Sequence, residues 1–162
     1  MDELEKGLGI SVDGTLKRDA LQRFREQIDR WDIPMPPVEP LVLDFGLGEF
    51  RDTGLIEYWI ANETEAGYCG KYLFVFDGQT CPMHRHKYKR ETFFVVKGRV
   101  RIDLDGNERE LEAGEIMTVH EAQKHSFTGI GPCLLLELSE PCVIDDNYFE
   151  DQRIPIGGDW NA

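Results

Sequence analysis

The chain reads as an all-β barrel or jelly roll with an α-helix ahead of it, and three observations carry that expectation. One helical stripe of apolar residues occupies the first part of the sequence. After a run of prolines, every apolar segment is short, rich in β-branched and aromatic residues, and bounded by Gly, Asp or Asn, as strands and their turns are. Between two such segments stands Asp105-Gly106, a pair that supplies the positive φ angles of a two-residue hairpin.

Taken in order, the helix is predicted from Leu16, Ala20, Leu21, Phe24, Ile28 and Trp31, whose steps of one, three and four place them on one face. It should stop before Pro34. Arg18, Arg23, Arg25, Glu26 and Asp29 then fall largely on its wet side. From Ile33 to Pro40 four prolines remove backbone donors and push their neighbours toward extended geometry, giving a linker or an arm able to cover or exchange a sheet edge. Strands are expected at 41–45, 56–61, 68–76, 92–96, 99–104, 108–111, 116–119, 125–128 and 134–138. The length suits one core, divided into a helix and arm over 1–40 and a barrel with a C-terminal segment over 41–162.

Composition excludes several classes of function. A net charge of −13 and a pI near 4.7 oppose contact with nucleic-acid phosphates or an anionic membrane. The N-terminus, Met1-Asp-Glu-Leu-Glu-Lys, is acidic where a secretory signal is basic, and no apolar run approaches membrane-spanning length. A cytoplasmic protein is expected. Cys69, Cys81, Cys133 and Cys142 show no C-x2-C spacing, which points to reduced, space-filling thiols.

The chemistry concentrates between Gly78 and Gly129. His84 and His86 are two apart, so an extended segment projects both imidazoles to one face. Glu91 follows after a short loop, and all four histidines of the chain fall within this region. Three nitrogens and a carboxylate oxygen suit one divalent ion, whether Mn, Fe, Ni, Co or Zn, with positions left for water or substrate. The third nitrogen belongs to His125 or to His120, and the spacing counted from Gly114 favours His125.

The run from Gly78 to Gly98, G-x5-H-x-H-x4-E-x6-G, resembles the first motif of the cupin superfamily at every defining position. The run from Gly114 to Gly129 resembles the second motif in part: His120 stands in its Pro position, Ala122 in its Gly position and Gly129 in its Asn position. The resemblance implies the cupin double-stranded β-helix, a jelly-roll barrel. Three further places are similar to the D-lyxose isomerase group of cupins: Pro82 to His86 continuing into Lys89-Arg90-Glu91, Leu136 to Ser139, and Asp145 to Phe149 with Asp151 and Arg153. This likeness implies a sugar substrate, manganese as the preferred ion, a homodimer, and substrate contacts from Asp146 and Arg153.

Aldose–ketose isomerisation moves a proton between adjacent carbons through an enediol, with a divalent ion as Lewis acid and template. Glu137 breaks the apolar run Cys133 to Leu138 and is either the proton-carrying base or an ordinary polar strand residue. Lys89 either joins the proton relay or belongs to a basic surface loop with Arg85, Lys87 and Arg90 that attracts an anionic sugar derivative. Arg153 contacts substrate or forms a surface salt bridge. An Fe- or Ni-dependent dioxygenase and a noncatalytic sugar-binding or regulatory cupin would use the same four ligands.

Overall fold

The structure, a computed structural model, describes residues 2–162. Its elements are α1 (Glu3–Leu8), α2 (Gly14–Trp31), β1 (Leu41–Leu43), β2 (Leu55–Glu63), β3 (Tyr68–Val75), β4 (Thr80–Arg85), β5 (Glu91–Leu104), β6 (Asn107–Glu112), β7 (Ile116–Val119), β8 (His125–Ser139) and β9 (Tyr148–Phe149), with a single 3₁₀ turn at Ile144–Asp146. Two long strands organise the rest. β5 and β8 run antiparallel along their lengths, from Glu91 opposite Ser139 to Leu104 opposite His125. On its other edge β8 takes β3 along Cys133–Ser139 and β4 along His125–Thr128. β5 takes β7 and then β6. β1 and β2 extend the sheet beyond β3, and β9 extends it beyond β4; the all-β class is as expected, in the form of a sheet curled into a half-barrel.

Strand alternation divides the buried residues between two cores. Leu55, Leu73, Phe93, Ile102, Phe127 and Leu135 face the barrel interior. On the outer face Val42, Ile56, Tyr58, Phe74 and Leu134 meet Ala20, Leu21, Phe24 and Ile28 of α2, four of the six stripe residues. Leu16 stays 47% exposed, beyond that contact. The four cysteines are free and buried.

Several boundaries differ from those expected, each for a local reason. The segments 92–96 and 99–104 are one strand, because the break read there is a pair of register shifts, between Val95 and Lys97 and between Lys97 and Arg99. Gly98 has φ 84°, and a Cβ there would lie 2.1 Å from the Pro132 carbonyl oxygen, so glycine is required. The shifts reverse the alternation: Phe93 and Val95 point inward before them, Val100 and Ile102 after. The segments 125–128 and 134–138 also join, across Gly129 and Gly131. β4 was not among the expected strands, since its six residues, Thr-Cys-Pro-Met-His-Arg, carry a proline and little β propensity. Asp105 and Gly106 take φ 52° and 82°, the hairpin turn the sequence called for.

The Pro-rich arm does not cover an edge. It packs Ile33 and Met35 on the α2 core. The edge of β1 is covered instead by Ile10–Val12: Val12 N–H donates to Val42 O at 2.8 Å and Asp44 N–H to Ile10 O at 3.2 Å. α1, which was not foreseen, begins in a capping box between Asp2 and Glu5 and reaches the C-terminal segment. Glu3 accepts the Ile144 N–H, and Lys6 pairs with Asp145 at 3.0 Å.

Candidate metal centre

The register brings the expected ligands to one end of the barrel. His84 on β4 lies directly opposite His125 on β8, His86 follows at the end of β4, and Glu91 opens β5. One ligand atom from each of the four falls within 4.8 Å of all the others. All four are buried, His125 completely. The rings of His84 and His125 have centroids 4.1 Å apart. His120 is exposed and lies outside this cluster.

Each ring is oriented by a backbone carbonyl at Nδ1: Pro82 O for His84 at 2.8 Å, Asp146 O for His86 at 3.1 Å and Gln123 O for His125 at 3.1 Å. A carbonyl only accepts, so these contacts assign the proton to Nδ1 and leave a lone pair on Nε2. The Nε2 atoms of His86 and His125, together with Glu91 Oε1, are buried without a hydrogen-bond partner. His125 Nε2 stands 2.6 Å from Glu91 Oε1 and His86 Nε2 stands 3.4 Å from it. Lone pairs converging in this way repel unless a cation lies among them, and the outward carbonyl partners are the usual supports of metal-bound imidazole. The donor set thus fits one divalent ion.

Charge alternates behind the cluster. Lys89 Nζ sits 2.7 Å from Glu91 Oε2 and 3.0 Å from Glu137 Oε1, and all three residues are buried. Burial alone would raise both carboxyl pKa values, but the Lys89 ammonium outweighs it; His86 and His125 add to the effect at Glu91, which falls well below the ordinary value. Burial would lower the Lys89 pKa, and Glu137 with Glu91 hold it well above normal instead. Burial and the neighbouring His125 and His86 press His84 well below 6.5. Both carboxylates are therefore ionised and His84 neutral at neutral pH, the forms that bind a cation. Ser139 Oγ donates to Glu137 Oε1 at 2.9 Å.

The remaining expected residues divide. Glu137 points inward, as both the base and an ordinary inward polar residue would, and Lys89 leaves the basic loop for the interior. That loop is otherwise spent locally: Arg90 pairs with Glu121 at 3.2 Å, and Arg85 donates to the carbonyls of Trp160 and Ala162. Asp146 lies beside the cluster, but its carboxylate accepts the backbone N–H groups of Lys87, Tyr88 and Lys89. It fastens the loop between His86 and Glu91. Arg153 is not brought to the site: it is exposed and pairs with Asp151 at 2.6 Å and Glu49 at 3.2 Å.

A cavity of about 50 Å³ adjoins the cluster; its lining adds Asn147, from the stretch that resembles the isomerases, and Glu57 and Lys71, which the sequence does not single out. The available signal was alternation. Glu57 follows inward Leu55 on β2, and Lys71 precedes inward Leu73 on β3. Outside the strap formed by residues 140–148 lies a larger hollow of about 580 Å³ that also reaches Lys89 and Asp146.

Known proteins resemble the chain along most of its length. A cupin domain matches residues 73–139, and a D-lyxose isomerase family matches residues 38–105. The D-lyxose ketol-isomerase of Cohnella laeviribosi is 30% identical over 88% of this chain and 96% of its own. The D-lyxose/D-mannose isomerase of Thermosediminibacter oceani is 29% identical over 85% of this chain and 92% of its own. Among solved structures, the L-ribose isomerase of Cellulomonas parahominis with L-ribose superposes with a TM-score of 0.68 at 17% identity, covering 83% of this chain and 90% of that one. The corresponding enzyme of Acinetobacter sp. DL28 gives 0.71 at 14% identity, covering 93% and 99%. At those identities the likeness is one of fold.

Proposed function

The chain belongs to the D-lyxose isomerase family of cupins, and on that premise we propose that it interconverts a free aldose and its ketose, with Glu137 as the proton-transferring base. The observation that carries this reading is the buried row Glu91, Lys89, Glu137 beside four convergent metal-ligand atoms. His84, His86, Glu91 and His125 would hold one divalent ion, with manganese proposed as the native one. When bound, such an ion supplies Lewis-acid polarisation and a template for two adjacent sugar oxygens.

The chain's own residues account for the proton. Glu137 Oε1 is occupied by Lys89 and Ser139, while Oε2 has no hydrogen bond among the described residues and is free to take a proton from the carbon α to the carbonyl. Lys89 keeps Glu137 ionised before the transfer and stays within 3.0 Å to stabilise the carboxylate when the proton is passed to the neighbouring carbon. The buried setting shields that proton from bulk water. A cytoplasmic location and a homodimer complete the proposal, the homodimer as the family resemblance implies. No helix is long and apolar enough to cross a membrane.

The test is a screen of the metal-loaded protein against free and phosphorylated pentoses and hexoses, with the substrate deuterated at the α carbon. Label should be lost or transferred during turnover. Glu137→Gln should keep its metal and lose at least about a hundredfold in kcat. Full activity in that variant would refute the role of Glu137. Oxygen consumption without ketose formation would replace the isomerase by an oxygenase.

A further inference from the structure

The cavity beside the metal centre has a second charged end. Glu57 on β2 and Lys71 on β3 line it together with Glu91 and Glu137, and Lys71 lies opposite Glu137 in the β3–β8 register. Lys71 is 4% exposed, yet its ammonium has no hydrogen-bond acceptor among the described residues. Glu57 Oε2 is 3.8 Å away, and the Trp59 ring lies 4.4 Å beneath it. That same Oε2 accepts the Trp59 indole N–H at 2.7 Å, which leaves Oε1 without a donor. Three free donors on a buried lysine and a free carboxylate oxygen on a half-buried glutamate, side by side at the cavity wall, demand a polar partner there.

Hydroxyl groups, each both donor and acceptor, meet that demand. The pair also borders an adjoining lobe of about 50 Å³ that runs toward α1 between apolar walls that include Leu41, Phe45, Ile144 and Ile156. Lys71 is the only cation lining that lobe among the described residues, and Glu57 already opposes its charge. A phosphate there would be poorly neutralised, whereas a neutral chain of hydroxyls would be well bonded.

We propose that Glu57 and Lys71 form the specificity end of the site, binding the hydroxyls of a neutral sugar away from its reacting carbons and discriminating against phosphorylated sugars. This rests on the isomerase reading for the identity of the ligand as a substrate, though not for the binding of a polyol chain. No hydrogen bond or ion pair joins the two residues to the four candidate metal ligands among the described residues, so their loss should leave the metal in place.

Ribitol and xylitol, neutral pentitols without a carbonyl to isomerise, are suitable probes. Calorimetric titration of the metal-loaded wild type should show binding, weakened about tenfold or more in Lys71→Met and in Glu57→Gln, with metal per chain unchanged. The ratio of kcat/KM between the best pentose and its epimers should fall in the same variants. Glu57→Gln combined with Lys71→Gln removes both charges together and serves if a single substitution fails to fold. Pentitol binding and epimer ratios within twofold of wild type in the folded variants would overturn the proposal, as would a wild-type preference for a phosphorylated pentose. Wild type that binds pentitols through Lys71 but isomerises nothing would refute the isomerase reading and leave the polyol site standing. Wild type that isomerises pentoses with Lys71→Met unchanged would do the reverse.

Discussion

Ala122 shows what a single departure from a motif costs. It adopts φ 66° in the turn before His125 and donates its N–H to His86 O at 2.7 Å. An L-residue held there loses roughly 1 kcal/mol to the contact of its Cβ with the backbone, and glycine does not. Ala122→Gly should therefore stabilise the protein by up to about 1 kcal/mol, less the extra entropy of glycine in the unfolded chain; urea unfolding measures it, and a destabilised variant would show that the turn bears no strain. His84 and His86 were legible because a two-residue spacing in an extended segment is a local constraint, and Glu91 and His125 because they fall at fixed distances from glycines in the two motifs. Glu137 could not be settled by the same means, since either face of β8 would accept the alternation. Glu57 and Lys71 escaped notice because their meaning depends on β3 lying between β2 and β8, a pairing across more than sixty residues for Lys71 and Glu137.

Among the elements, the strap after β8 couples covering the site to shaping it. Through its carbonyl Asp146 orients His86, and through its carboxylate it holds the 87–89 backbone. Asp146→Ala should loosen that loop and weaken metal binding about tenfold to a hundredfold, the usual cost of losing a ligand's support. Competition with a chelator of known affinity would register it, and unaltered affinity would show that the loop holds its shape unaided. Strand positions were readable where alternation was unbroken, as in β7, found at the expected 116–119. They were misread where the chain bends without ending, at Gly98 and across Gly129, because a glycine that bulges a strand and one that ends it look alike in sequence. The strap and α1 were missed because each is short and without a regular apolar period: the strap buries only Cys142 and Ile144 against Cys69, and α1 is tied to it through Glu3 and Lys6.

At the scale of the whole molecule, stability and chemistry occupy opposite faces of one sheet. α2 seals the outer face through Phe24, 1% exposed and packed on Tyr58 and Phe74, while the charged row lies inside. Phe24→Ala should cost about 3–5 kcal/mol, visible as a lower urea midpoint, with the metal content of the folded protein unchanged. Loss of metal at full folding would mean that the helix reaches the site. The half-barrel followed from many short strands and a barrel motif. Its strand order did not, because hydrogen bonding between distant strands leaves no trace in local composition.

The four candidate ligands lie between residues 84 and 125, whereas the carbonyl that steadies His86 comes from residue 146, in a segment that lines the adjoining cavity and is tied to the other end of the chain through Glu3 and Ile144. An ion on these ligands and the docked segment would therefore favour one another, each lowering the cost of ordering the other.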